Sequence, residues 1–211
     1  MPLAIKAKLP RFPKVGRKVP NPIHRGELDS VLAVASPTSR LAFSLAAFAG
    51  LRRSEVPGLR WSGVDLKGNT ITVRRAITRG EETTPKSGDH RVIPIAEPLR
   101  LLLGSAATTK KNPWASVALT THGKAWGEFG LNQAFKRAQK RAGHSGWCFH
   151  DLRHFFATEL FRKGVPAPVV QQLLGHADLA TTQRYCDMVA SDLRAAIATF
   201  SGPSDLRKEG V

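Results

Sequence analysis

The chain of 211 residues has a single tyrosine, two cysteines and half as many acidic as basic side chains. Each scarcity removes a class of protein. Two thiols, Cys148 and Cys186, do not make a disulfide scaffold and fit reduced cysteines in a cytosolic protein. No run approaches the ~20 apolar residues of a membrane span, and LAFSLAAFAGL at 41–51 reads as a buried helix. The opening MPLAIKAKLPRFPK lacks the apolar stretch and small-residue cleavage site of a signal peptide, so nothing there argues for secretion. With 32 basic and 16 acidic residues the net charge is +16 and the pI about 10.8, beyond what solubility requires. Such an excess points to a polyanion, foremost a nucleic acid. A membrane surface would attract the same charge, but no basic amphipathic helix with a Trp/Leu face is present.

What is present begins with a change of character near residue 23. KAKLPRFPKVGRKVPNP mixes proline with lysine and arginine, and the first acid is Glu27. The prolines forbid a helix and favour an extended strap able to lie along phosphates. Residues 1–23 are therefore expected to form a basic, Pro-rich arm, residues 24–200 the folded domain, and 201–211 a tail. HRGELDSVLAVA and PTSRLAFSLAAFAG predict two helices, the second closed by Gly50. RSEVPGL allows at most a short helical turn. NTITVRRAIT and HRVIPI predict a small antiparallel sheet with RGEETTPKSGD between them, and SVALTT a further short strand. EPLRLLLGSA predicts a helix, and from Gly127 the pattern is almost all helical: 127–142, 149–163, 167–174, 178–187 and 190–200, punctuated by Gly164, Pro166 and Gly175. The fold class expected is mainly α with a small antiparallel β-sheet.

Four stretches carry polar residues that packing alone does not require. AGLRRSEV sets Arg52 and Arg53 just after a helix cap, and TPKSGDHRVIPI puts Lys86 in a turn between strands. CFHDLRHFF places His150 and Arg153 three apart on one helical face. LLGHADLATTQRYCDM holds His176 and, nine residues later, the lone Tyr185. Each also has a bland reading: a solvated arginine pair, an ordinary hairpin lysine, a structural His–Arg pair, a filler aromatic in a chain where Phe outnumbers Tyr ten to one. HDLRH is also close to the zinc-protease pattern H-E-x-x-H. Against a metal site, Asp is too short to copy the glutamate base, and Arg153 would set a fixed cation beside the ion.

Taken together, the four stretches resemble the tyrosine recombinase, or phage integrase, family. Its G-x-R-x-S/G-E box appears as GLRRSE, giving Arg52. Its hairpin lysine, about eight residues before a proline, appears as Lys86 before Pro94. Its H-x-x-R-H box appears as HDLRH, giving His150 and Arg153, and its final L-G-H…Tyr box gives His176 and Tyr185. The resemblance runs from about residue 25 to 190 and implies the catalytic-domain fold of that family. It implies site-specific DNA strand cleavage and rejoining, in which Tyr185 attacks a DNA phosphate to leave a 3′-phosphotyrosyl link and a free 5′-hydroxyl. A phenol with pKa near 10 is only ~0.1% ionised at pH 7, so unaided ionisation costs about 4 kcal/mol. His150 is the implied base; Arg52 and Arg153 would grip the non-bridging oxygens. Lys86 would protonate the departing 5′ oxygen, and His176 would bond the phosphate. No cofactor or metal is implied.

The partners implied are double-stranded DNA and further copies of the chain, a tetramer on DNA formed through the helix in VASDLRAAIATF. A cytoplasmic, nucleoid-associated location follows from the same resemblance, as does an integration, excision or recombination role typical of mobile elements. Family members usually carry a second, helical DNA-binding domain ahead of the catalytic one, which the strap at 1–23 does not replace, so efficient site-specific recombination by this chain alone is not expected. Two other activities share the pattern: type IB topoisomerase-like nicking and closing, and a non-cleaving DNA-binding regulator.

Overall fold

The computed structural model of the chain describes residues 22–83, 90–108 and 112–175. Its centre is a helix that is buried nearly all round. Ser36 caps that helix by accepting from the Ser39 N–H (3.3 Å), Pro37 occupies its first turn, and Gly50 closes it in the left-handed region at φ 63°. This helix, α2 (Pro37–Ala49), follows α1 (Arg25–Val34). From Leu41 to Ala49 every residue of α2 is buried, and its alanines allow close approach by neighbours. α4 (Glu97–Ala107), α5 (Glu128–Arg141) and α6 (His150–Arg162) all pack on it. Phe43 of α2 meets Phe135 of α5 and Phe149 edge to face, with ring centroids 5.3 and 6.1 Å apart. Fully buried Phe43, Phe135, Phe149, Leu45 and Leu131 form the middle of the core. Removing one such phenyl ring would cost about 3–5 kcal/mol.

After α2 the chain makes the one-turn helix α3 (Glu55–Gly58), a 3-10 turn at Trp61–Gly63, and the strands β1 (Val64–Asp65), β2 (Thr70–Val73), β3 (Ala76–Thr78), β4 (Glu81–Thr83) and β5 (Arg91–Pro94). The single strand expected over NTITVRRAIT is two strands in two sheets. β1, β2 and β5 form one antiparallel sheet, with Ile71 opposite Ile93; β3 and β4 form a separate hairpin, with Ile77 opposite Glu82. The break falls at Arg74–Arg75, where two successive cations interrupt the alternation. Arg75 pairs with Glu82 at 2.6 Å, while Ile77 N–H bonds the Ser54 carbonyl at 2.7 Å and ties β3 to α3. SVALTT is likewise not a strand. Ser116 and Leu119 make only isolated bridges, to Arg60 and Ala125, because the Gly123 turn folds the segment back on itself.

The remaining expectations hold to within a residue or two. α6 ends before Gly164, Pro166 caps α7 (Ala167–Leu174), and Gly175 closes α7 at φ 63°. The helices expected at 178–187 and 190–200 lie outside the described residues, as does the arm at 1–21. The described part is mainly helical with small antiparallel sheets. None of its helices is long and apolar enough to cross a membrane.

Candidate active site

Three helix ends converge beside the central core: the C-terminus of α2, the N-terminus of α6 and the C-terminus of α7. The sequence GLRRSE bridges the first to α3, and its glutamate is the organising group. Glu55 is only 2% exposed. It accepts two hydrogen bonds from Arg91 of β5 (Nη1–Oε1 2.8 Å, Nη2–Oε2 2.5 Å), one from the Arg52 side chain (Nη1–Oε1 2.9 Å) and one from the Arg52 backbone N–H (2.7 Å). Arg153 Nη1 stands 4.0 Å away. Burial alone would raise the Glu55 pKa; the hydrogen bonds and charge of Arg91, then those of Arg52, prevail and lower it to about 2. A carboxylate so held is ionised at any working pH.

The arginines in turn cap helices. Arg153, on α6, is 1% exposed and donates from Nη1 to the Gly50 carbonyl (2.5 Å) and from Nη2 to the Leu174 carbonyl (2.7 Å). Arg52 Nη2 donates to the Gly175 carbonyl (2.7 Å), and Arg91 Nε to the Leu173 carbonyl (3.0 Å). Cations at helix C-termini meet both the orphan carbonyls and the negative end of the dipole. Arg52 differs from the other two in keeping 37% of its side chain exposed.

Arg52 opens onto a basin of about 350 Å³, lined also by Arg53, Ser54, Thr78, Asn132, Cys148 and His150. The start of α6 is fixed there by two side chains: Asp151 accepts from the Cys148 N–H (2.7 Å), and Asn132 of α5 from the Phe149 N–H (3.0 Å). His150 lines the basin, its ring edge to face with His154 at 4.6 Å. Desolvation, followed by the charges of His154, Arg153 and Arg52 against that of Asp151, pushes the His150 pKa down to about 4. The imidazole is therefore neutral near pH 7 and able to take a proton. His154 lies 3.9 Å from Asp151, and burial lowers its pKa too, with Asp151 acting against that and Arg153 adding to it. No group of three His, Cys, Asp or Glu side chains among the described residues is arranged to hold a metal ion. Cys148 has a free thiol whose pKa is raised by desolvation and by Asp151, which disfavours its thiolate form.

Of the six residues singled out by sequence, the structure thus gathers Arg52, His150 and Arg153, while Lys86, His176 and Tyr185 lie outside the described residues. Glu55 and Arg91 were not singled out, although they hold the cluster together. One signal was available for Arg91: in HRVIPI it shares the inward side of the alternation with buried Ile93 and Ile95. An arginine at a core-facing strand position implies a buried acidic partner.

Comparison with known proteins gives the family and the fold. Tyrosine recombinase XerA of Thermococcus onnurineus is 34% identical over 194 residues, covering 88% of this chain and 64% of the relative. Tyrosine recombinase XerC of Xylella fastidiosa is 30% identical over 190 residues, covering 83% of this chain and 58% of the relative. The crystal structure of XerA recombinase superposes with a TM-score of 0.70 at 26% identity, covering 86% of this chain and 65% of that one. The Tn1549 transposon integrase, solved with a circular intermediate DNA, shares the fold at a TM-score of 0.71 and 20% identity over 80% of this chain and 62% of that one. The chain thus spans about 64% of the length of the XerA relative. The phage integrase family profile matches residues 24–191, and with the boxes, the fold and these relatives in agreement, the chain belongs to that family of tyrosine recombinases.

Proposed function

We propose that this chain cuts and rejoins DNA site-specifically through a 3′-phosphotyrosyl intermediate, as the catalytic domain of a tyrosine recombinase. The observation that carries the reading is the pairing of an exposed Arg52 fork, braced by buried Glu55, with a neutral His150 at one basin. A fork of N–H donors suits the non-bridging oxygens of a phosphodiester, and its charge offsets what accumulates when a fifth oxygen bonds to phosphorus. His150 would draw the proton from the Tyr185 hydroxyl as its oxygen attacks phosphorus. The 5′ oxygen leaves with a proton from Lys86, and the phosphotyrosine conserves the bond energy for religation by the reverse path. His176 would bond the phosphate. Arg153, engaged with the Gly50 and Leu174 carbonyls, would add its charge behind Arg52 and hold the two helix ends that frame the phosphate.

The partners in this reading are duplex DNA and, during exchange, further copies of the chain docked through the segment after Tyr185 into a tetramer. Several basic side chains supply phosphate contacts: α5 ends in KRAQKR, and the arm at 1–23 adds more. The domain proper is residues 24–200, and its place of work is the nucleoid. The test is a nicked suicide duplex, on which cleavage releases a short strand and leaves protein attached to DNA. A denaturant-stable adduct that transfers to a partner strand supports recombinase action. Adduct that only reseals its own strand means topoisomerase-like action, and binding with no adduct means a non-cleaving regulator.

A further inference from the structure

Arg91 takes no part in the chemistry just described, yet all three of its guanidinium nitrogens are engaged at the site. Its two Nη groups hold both Glu55 oxygens, its Nε caps the Leu173 carbonyl, and its Cδ lies so near Gly175 that a Cβ there would stand 3.0 Å away. Leu173, Leu174 and Gly175 are the last three carbonyls before His176. Each is taken by a different arginine: Arg91, Arg153 and Arg52 in turn. Because Arg91 fills Glu55 from the β5 side, Arg52 shares only Oε1 through its side chain and spends its other Nη on Gly175. Without Arg91, Glu55, the one carboxylate of the cluster among the described residues, would have a complete edge open, and Arg52, three residues away, is placed to close on it as a fork. A guanidinium so engaged is withdrawn from the basin.

On the reading of the site proposed above, we infer that Arg91 is a positioning residue, which occupies Glu55 and the end of α7 so that Arg52 stays turned toward the scissile phosphate. It acts through Arg52 and touches no reacting atom. Lysine cannot replace it, because a point charge on a flexible stem cannot bridge both carboxylate oxygens and a carbonyl in fixed directions.

The experiment uses the whole chain and a nicked duplex selected from a randomised pool for adduct formation by the unaltered protein. Single-turnover cleavage is measured on this duplex and on the same duplex with a neutral methylphosphonate at the scissile position. The neutral centre has little need of a guanidinium, so it discounts losses that arise from a misplaced Arg52. R91K should slow cleavage of the phosphate by about 10- to 100-fold, the range expected when a catalytic group is displaced by an ångström. DNA affinity should change little, and most of the loss should vanish on the methylphosphonate. A wild-type rate on the phosphate, or an equal loss on both substrates, overturns the inference. Should R91K fail to fold, R91Q, which leaves the Glu55 carboxylate in place for Arg52 to close on, is read by the same ratio: a greater loss on the phosphate supports the inference, an equal loss overturns it. An unaltered chain that forms no adduct with any duplex of the pool refutes instead the underlying strand-cleavage reading.

Discussion

Replacing Glu55 by glutamine tests how the cluster is held. Glutamine keeps the shape but removes the negative charge that Arg91 (10% exposed) and Arg153 (1% exposed) face. Removing one partner of a buried ion pair costs about 3–5 kcal/mol. The ionisation of Glu55 gives a second measure. Its pKa falls from an ordinary 4.5 to about 2 on folding, and at roughly 1.4 kcal/mol per pH unit this amounts to about 3 kcal/mol. The sign is that of a depressed carboxylate: the stabilisation is complete above pH 4.5 and disappears as pH falls through about 2. From the same two pKa values, about 3 kcal/mol remains at pH 5 and about 1 kcal/mol at pH 3. Urea unfolding of both proteins from pH 7 to pH 3 isolates this group, because acid titration of all other carboxylates cancels in the difference. The Glu55→Gln deficit should be about 3 kcal/mol or more at pH 7 and shrink by about 2 kcal/mol by pH 3. A deficit that stays constant over that range, or is below about 1 kcal/mol at pH 7 as for an exposed pair, refutes the account of Glu55 as an ionised anchor.

Other consequences can be checked separately. Tyr185→Phe should abolish the denaturant-stable protein–DNA adduct on a nicked duplex; an adduct that persists means another nucleophile. With His150 titrating at about 4, cleavage at limiting DNA should stay level from pH 7 to pH 5 and fall only as pH drops through about 4; a decline centred at 6.5 would mean an ordinary histidine or a different base. Gly50→Ala puts a Cβ 2.6 Å from the Phe156 ring at a φ of 63°, so overpacking together with left-handed strain should cost about 2–4 kcal/mol in urea unfolding. If Lys86 is the acid, Lys86→Ala should cleave normal DNA poorly and recover on a duplex whose bridging 5′ oxygen is sulfur, because a thiol with pKa of about 8.5 leaves without a proton. Arg52→Ala should stay slow on that substrate, and equal rescue of both would make Lys86 a DNA contact.

The sequence was most informative where structure depends on local chemistry. Ser36, Pro37 and Gly50 bracket α2 because capping and left-handed turns need those residue types wherever they occur. Pro166 and Gly175 do the same for α7. His150 and Arg153 were legible as a pair because three residues make one helical step. The strand break at Arg74–Arg75 was harder, since the β-branched run of NTITVRRAIT looks continuous and the interruption depends on what Arg75 and Ile77 meet in space: Glu82 and the Ser54 carbonyl. The roles of Glu55 and Arg91 were hidden for the same reason. They are 36 residues apart in sequence, and burial of a charge is decided by the fold around it.

Among the described residues the cluster holds three arginines around one glutamate, and the balance of charge accounts for that ratio. Three guanidinium groups crowded together repel, and helix carbonyls at Gly50, Leu173, Leu174 and Gly175 absorb part of that repulsion by accepting their N–H groups. Glu55 cancels one charge and leaves two positive charges among the four side chains. A phosphodiester carries one negative charge, and attack by a phenolate adds a second in the pentacoordinate state. On the proposed strand-cleavage reading, the pre-formed excess therefore matches the transition state better than the ground state, the condition under which binding energy lowers a barrier. A second carboxylate would reduce the excess to a level suited only to the uncleaved DNA. With no carboxylate, three unscreened arginines would drive Arg52 into solvent and lose its alignment. Among the described residues, one glutamate with three arginines meets both requirements of that proposed reaction, with Arg52 the member left facing the basin.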